Sequence, residues 1–422
     1  MGIFAILSPL ILVIAVHFPT LFNVPPTLGV DASWLFVAMT LAFFVTVITS
    51  IFAVSAFVHS QFVLSNTTYF CGLLARLSLI AVLFSTFSPR LWYIGVSMLA
   101  ASLVSLVGQV LLWRKLTPDL NVDIGAFDRA RLRPLMGMGG WLVVNMIGAM
   151  LLSRVDLIIV NAYFGAAVMG GYAAVVQLSP LMEYLVNSAA TVIRPVILVK
   201  YALGDLTGLR HLASTAVRFL GFALALPVGL LCGFSYPLIT IWLGRSHSHL
   251  SLLLVVVIFH LSLNLSVRPL LDVQNAFNKV RWPGIVTLLS GIADLGLAVA
   301  LATWGQWGAV GVAAACALAW TAKNGLYMPI YTARIMQLSW WTFMPCLSSS
   351  VFGTLFVALA AYGITLARTP DSWPNLLSSV AIVSALYVLM VWTVGLSSAE
   401  RQTLRNLIPE RAFRSIRIAS TR

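Results

Sequence analysis

The sequence predicts an all-α polytopic membrane protein with about twelve transmembrane helices, and three observations carry that prediction. Hydrophobic residues make up 60% of the 422-residue chain and charged residues only 9%, against about 25% charged in a soluble domain. Mean hydropathy is +0.98, and apolar runs of roughly twenty residues, the length that crosses a hydrocarbon core, recur along the chain. Those runs are continuous rather than alternating. Helices therefore satisfy the backbone in lipid, whereas barrel strands do not match the pattern.

The segments follow in order. The first, 3–22, has no basic stretch ahead of its apolar run and reads as a retained helix, not a cleaved leader. Segments 34–57, 68–87 and 91–113 come next. A polar, basic linker at 114–137 then separates residues 1–113 from the rest. Segments 138–163 and 168–193 form a hairpin about the uncharged turn FGAAVMGG, and 214–241, 249–267, 284–304 and 307–328 continue the series to residue 334. A further pair, 347–367 and 376–396, lies within 335–396. The tail, 397–422, is basic and polar; an amphipathic surface helix and a frayed tail fit it equally. Pro180 and Pro227 interrupt apolar runs and predict kinks, because proline removes a helical donor.

The net charge of +13 does not point to nucleic acid, because the basic residues sit between apolar segments and in the tail. Arg114, Lys115, Arg129, Arg131 and Arg133 fill the linker, and Arg194, Lys200, Arg210, Arg268, Lys279, Arg281 and Arg334 mark the even-numbered connections. The intervening turns are nearly free of Lys and Arg. That alternation predicts a cytoplasmic linker, tail and N-terminus, with some attraction to anionic membrane lipids. No Lys or Arg precedes Arg76, so the first segments carry little orientation signal of their own. Cys71, Cys232, Cys316 and Cys346 are dispersed in apolar runs and read as small buried residues, not a disulfide framework. His247 and His249 lack further ligands and read as a polar turn. No metal site or cofactor is expected, and no phosphate-binding P-loop or catalytic motif occurs.

Ionisable groups inside the apolar runs are the functional candidates, since a charge in hydrocarbon costs at least ~2.5–3.5 kcal/mol and usually faces a partner or a water-filled cavity. Arg154 and Asp156 interrupt one segment two positions apart, so they cannot share a face. Glu183, Asn187 and Arg194 line one face of the next, with Gln177 above them. Glu183 is the best candidate there for a proton or ion site, as a desolvated carboxylate, with a hydrogen-bonded structural acid paired with an Arg as the favoured reading. Asp294 with Thr287, Ser290 and Gly291 forms a polar stripe that also reads as close helix packing. Lys323 lies inside the tenth segment, with snorkelling to the cytoplasmic surface expected, and Arg76 sits eight residues into the third.

Punctuation after the linker resembles a known family. Arg154-Val155-Asp156 precedes the turn Asn161–Gly165, and Gly170-Gly171-Tyr172 opens the next helix. Arg194-Pro195 through Tyr201 and Gly204-Asp205 close it, Ile241–Gly244 ends the following one, and Asn275–Pro283 and Gly305–Gly311 flank the ninth. This order is similar to that of the polysaccharide transporters, the Wzx-type flippases of the MOP (MATE-related) superfamily. The resemblance implies two six-helix lobes plus a further pair, with 138–334 as a C-lobe and 1–113 as an incomplete N-lobe that starts at the family's third helix. It also implies a bacterial inner-membrane transporter, not an enzyme. The implied substrate is a polyprenyl-pyrophosphate-linked oligosaccharide for O-antigen, capsule or exopolysaccharide, moved by alternating access with H+ or Na+ as coupling ion. A MATE-like antiporter or a peptidoglycan-precursor flippase is the near alternative. A membrane-embedded glycan polymerase or glycosyltransferase is the alternative of another class, and the short outer turns argue against it.

Overall fold

Small residues decide which helices touch in this protein. Helices in lipid gain little from the hydrophobic effect and associate through close packing, which glycine and serine permit. The computed structural model describes residues 2–22, 24–25, 28–59, 61–118, 129–395 and 401, with side chains described except at 2–8, 10, 12 and 129–138. Among the described residues the regular structure is entirely helical, and it forms two compact units that divide between Asp128 and Arg129. The predicted linker is thus shorter than 114–137, because helix runs to Leu116 on one side and resumes at Arg129 on the other. Residues 119–128, Met1 and the tail apart from Arg401 lie outside the described residues, and so do the expectations placed on them.

The first unit carries α1 (Gly2–Leu21), α2 (Gly29–Val58), α3 (Phe62–Thr86) and α4 (Trp92–Leu116). α4 packs against both α2 and α3. A Cβ at Gly95 would lie 2.8 Å from the Ala38 Cβ, so glycine sets that approach. Between α3 and α4 the fully buried Gln109 amide donates to Ser65 Oγ at 2.9 Å and Thr68 Oγ1 at 2.7 Å.

The second unit begins with α5 (Arg129–Val176), which is broken at Gly165, where φ is +82°. It continues through α6 (Ser179–Ala202), α7 (Leu206–Gly233), α8 (Ser235–Trp242), α9 (Leu250–Phe259), α10 (Leu261–Ser266), α11 (Arg268–Ala276) and α12 (Arg281–Thr303). α13 (Gly308–Thr321) leads through a π-helical turn, Ala322–Tyr327, into α14 (Met328–Ile335), and α15 (Ser348–Ala367) and α16 (Trp373–Met390) follow. Among the described residues nine helical stretches are long and apolar enough to cross a membrane, and one of them, Gly139–Ala202, contains two predicted segments. The other two predicted segments correspond to α1 and to the interrupted run Gly308–Ile335.

The interruptions have identifiable causes. Pro180 does not kink a continuous helix; it stands in the first turn of α6, where its missing N–H costs nothing, and the break falls before it at 177–178. Pro269 likewise opens α11 and prevents α10 from continuing. Pro227 lies inside α7, as expected. α12 lies along α5 because Gly148, Gly284 and Gly291 line the seam: a Cβ at Gly148 would meet the Leu288 backbone nitrogen at 2.5 Å, and one at Gly291 would meet Leu151 Cβ at 2.8 Å. α15 packs on α7 in the same way, through Gly229 against Val357 and Gly353 against Ala225. Trp304 and Trp307 stand exposed at one end of the α12–α13 turn, and Trp340 and Trp341 follow α14 at the other, the placement expected of interfacial aromatics. Cys232 is buried, but Cys71 is exposed and Cys316 and Cys346 are half-buried, which corrects the expectation that all four are buried.

Two predictions follow from these contacts. Gly148→Val should destabilise the detergent-purified protein by the ~1–3 kcal/mol typical of overpacking, seen as a lower melting temperature. Gly140→Ala, with nothing within 4 Å of the added carbon, should leave it unchanged or slightly raised. At the α6–α7 turn, the Lys200 ammonium at 2.7 Å and the Gly208 N–H at 2.7 Å hold the Asp205 carboxyl below the usual carboxylate range. A depressed carboxyl stabilises the fold above its unfolded value and loses that contribution as pH falls through its folded value. Asp205→Asn should therefore lower the melting temperature at neutral pH and flatten its fall on acidification.

Candidate functional site

Gly165 folds α5 back on itself, and the hairpin is pinned inside the apolar bundle by one polar contact. Tyr172 Oη donates to Asp156 Oδ2 at 3.0 Å, with Tyr172 1% and Asp156 8% exposed. The other oxygen, Asp156 Oδ1, is buried and has no donor among the described residues. The glycine seam carries α12 alongside, and Asp294, one turn beyond Gly291, arrives opposite Asp156. Asp294 is 2% exposed, and its Oδ1 also lacks a partner. Cys316 enters from α13, and the ligand atoms of Asp156, Asp294 and Cys316 all lie within 4.8 Å of one another. Two ionised carboxylates held that close repel, and a proton or a metal cation between them removes the repulsion.

Two cavities with polar groups in their walls lie in the second unit, and the smaller touches this cluster through Asp156 and Cys316. One, of about 120 Å³, is lined by Arg154, Asp156, Tyr172, Glu183, His260, Cys316 and Trp320. The other, of about 190 Å³, lies toward the Arg-rich end and is lined by Asn145, Glu183, Asn187, Arg268, Thr287, Lys323 and Asn324. Ser153, Glu183, Asn264, Leu265 and Trp320 belong to both walls. Trp320 stands in the wall common to both: its Nε1 donates to the Leu152 carbonyl at 3.3 Å, and the Lys323 Nζ lies 5.0 Å from its ring centroid.

The sequence-selected residues are distributed as follows. Asp156 and Asp294 meet, which the sequence does not show. Arg154 points into the cavity wall and is exposed, while Asp156 is buried on another side of the same helix. Glu183 is exposed, not desolvated, which corrects the expectation placed on it; the desolvated carboxylates are Asp156 and Asp294. Asn187 lines the larger cavity, whereas Gln177 sits exposed in the turn before α6 and lines neither. Lys323 is 9% exposed and does not snorkel, because helix continues past it to Ile335 and keeps it away from the end of the span. Arg194 leaves the Glu183 face to bind Asp272, Nε to Oδ1 at 2.8 Å. Arg76 belongs to the first unit, half-buried in a pocket with Tyr69, Thr46, Ser102 and Ser105.

Sequence reasoning missed Cys316, Trp320 and Asn264. The one signal for the first two was spacing: Cys316, Trp320 and Lys323 fall at i, i+4 and i+7 on one helical face. Asn264 donates to His260 Nδ1 at 2.8 Å and Thr321 Oγ1 at 3.2 Å, and its carbonyl accepts from Asn324 Nδ2 at 3.1 Å. It ties α10 to the π turn.

Comparison with known proteins places this architecture. Residues 1–199 match the polysaccharide biosynthesis protein family. The chain is 30% identical over 380 residues to the uncharacterized membrane protein EpsK of Bacillus subtilis (strain 168), which covers 90% of this chain and 75% of that relative. The chain belongs to the Wzx-type polysaccharide transporter family. Among solved structures, this transporter-family chain is similar to the lipid II flippase MurJ in its inward closed conformation, with a TM-score of 0.57 over 92% of this chain and 80% of that one. Identity there is 13%, so the likeness is one of fold.

The Tyr172–Asp156 contact should be measurable by itself. Tyr172→Phe leaves a buried carboxylate oxygen without its donor and should cost about 1–3 kcal/mol in thermal or denaturant unfolding. In Asp156→Asn the same tyrosine change should cost less, since the two groups act as a pair.

Proposed function

We propose that the protein is a transporter, not an enzyme, that carries polyprenyl-pyrophosphate-linked oligosaccharide repeat units across the cytoplasmic membrane for O-antigen, capsule or exopolysaccharide assembly. The observation that carries this reading is the buried Asp156–Asp294 pair and the two cavities that share the Glu183 wall, one of them lined by Asp156, inside helices that are otherwise apolar. A membrane span tolerates such groups where they meet substrate or ion. Family membership and the MurJ-like fold support a lipid-linked saccharide as cargo. The Arg-rich end of the second unit, with Arg194, Lys200, Arg210, Lys279, Arg281 and Arg334, faces the cytoplasm in this reading.

Asp156, Asp294 and Cys316 hold the coupling ion. Of H+ and Na+, the donors favour the proton. Sodium is a hard cation that takes oxygen ligands, and here a thiol stands where a third oxygen would serve it. One proton shared by two carboxylates needs no third ligand.

The test is surface polysaccharide export in a bacterial strain deleted for its own transporter. The wild-type chain should restore export. Asp156→Asn and Asp294→Asn should abolish it at equal protein level, and Glu183→Gln should retain a larger share. Restored polymer length in a polymerase-deleted strain, without restored export in the transporter-deleted one, would replace this reading with an enzyme.

A further inference from the structure

The π turn Ala322–Tyr327 buries a cation that has no anionic partner among the described residues. π turns insert an extra residue and re-aim the side chains around them, often at functional sites. Here Lys323, Asn324 and Gly325 all turn inward. The Lys323 side chain is more than nine-tenths buried, lines the larger cavity, and among the described residues makes no hydrogen bond and no ion pair. Its one close polar-type contact is the Trp320 ring, at 5.0 Å from the centroid. Glu183 lines the same cavity, yet no ion pair forms between them. The second cation there, Arg268, is near enough for its charge to act on Lys323, which adds repulsion rather than relief. Its own acid, Asp272, is already bound to Arg194 at 2.8 Å.

A buried ammonium with three free donors is costly to keep unless an anion completes it. We propose that this cavity is a diphosphate site: Lys323 binds the deeper phosphoryl group as a point charge, and Arg268 at the exposed mouth grips the outer one with its planar fork. Asn264, Asn324 and Asn145 supply neutral polar atoms along the wall. A cavity of about 190 Å³ takes a headgroup's phosphates, not its sugars or its prenyl chain. This inference rests on the transport reading above and deepens it by naming which atoms hold the cargo. The same chemistry fits a lipid-linked diphosphate and free pyrophosphate.

The full chain in nanodiscs, titrated by Trp fluorescence and native mass spectrometry, separates these. Undecaprenyl pyrophosphate should bind tighter than undecaprenyl monophosphate. Lys323→Gln should weaken the diphosphate about tenfold or more, the worth of a charge-assisted hydrogen bond, Arg268→Gln should weaken it less, and Lys323→Arg should largely keep it. Competition by inorganic pyrophosphate would show that the anion alone suffices; its failure, with Lys323 dependence intact, would assign the site to the lipid-linked form. A stability readout guards against misfolding. Removing an unpaired buried charge should leave the ligand-free Lys323→Gln protein with an equal or higher melting temperature, whereas a purely structural lysine predicts a lower one. Unchanged diphosphate binding in Lys323→Gln overturns the site while the transport reading stands. A wild-type chain that binds no undecaprenyl pyrophosphate overturns both.

Discussion

The site in the second unit depends on how closely α12 can approach α5. Glycines at 148, 284 and 291 remove the side chains that would otherwise hold the two backbones apart, since a Cβ at Gly148 would run into the backbone of Thr287 and Leu288. Only with that seam closed does Asp294 reach the level of Asp156. The hairpin at Gly165 brings Tyr172 to the same level from the other side and uses one of the two Asp156 oxygens. Asp156 Oδ1 and Asp294 Oδ1 stay buried and find no hydrogen-bond partner among the described residues. Packing that is ordinary for membrane helices thus produces an acidic pair that needs a cation.

α13 and its π turn connect that pair to the larger cavity. Cys316 joins the acids, Trp320 bonds the Leu152 carbonyl on α5, and Lys323 lies over the Trp320 ring. Cys316 Sγ also donates to the Leu152 carbonyl, at 3.1 Å. One carbonyl therefore anchors both a member of the acid cluster and the ring common to the two cavities. A shift of α13 along α5 alters the acid cluster and the Lys323 cavity together. That is the physical link an ion-coupled carrier needs between its ion and its cargo.

Much of the fold is legible in the sequence because hydrocarbon imposes a length and a composition on every span. The twelve apolar segments and their polar connections follow from that constraint alone. Breaks within spans are less legible: the π turn at 322–327 carries no Pro, and the chain simply continues to Ile335. A straight helix ending at 328 makes Lys323 a surface residue; the longer, π-turned helix makes it a buried one. Asp156 and Asp294 stand out individually, since a charge in an apolar run is expensive. Their meeting does not, because one sequence contains nothing that pairs distant helices, and Cys316 is indistinguishable there from any small core residue. Glu183 errs in the opposite direction. Its apolar neighbours suggest desolvation, yet it stands on the open wall shared by both cavities.

The claim that the acidic pair couples transport to an ion is tested most directly in proteoliposomes. The measurement is the rate at which a fluorescent polyprenyl-pyrophosphate-linked oligosaccharide changes leaflet, with an imposed gradient of H+ or of Na+. The account predicts that the proton gradient accelerates wild-type movement, that a sodium gradient does not, and that Asp294→Asn loses the acceleration while keeping its fold. The same proton-driven acceleration in Asp294→Asn as in the wild type would contradict it.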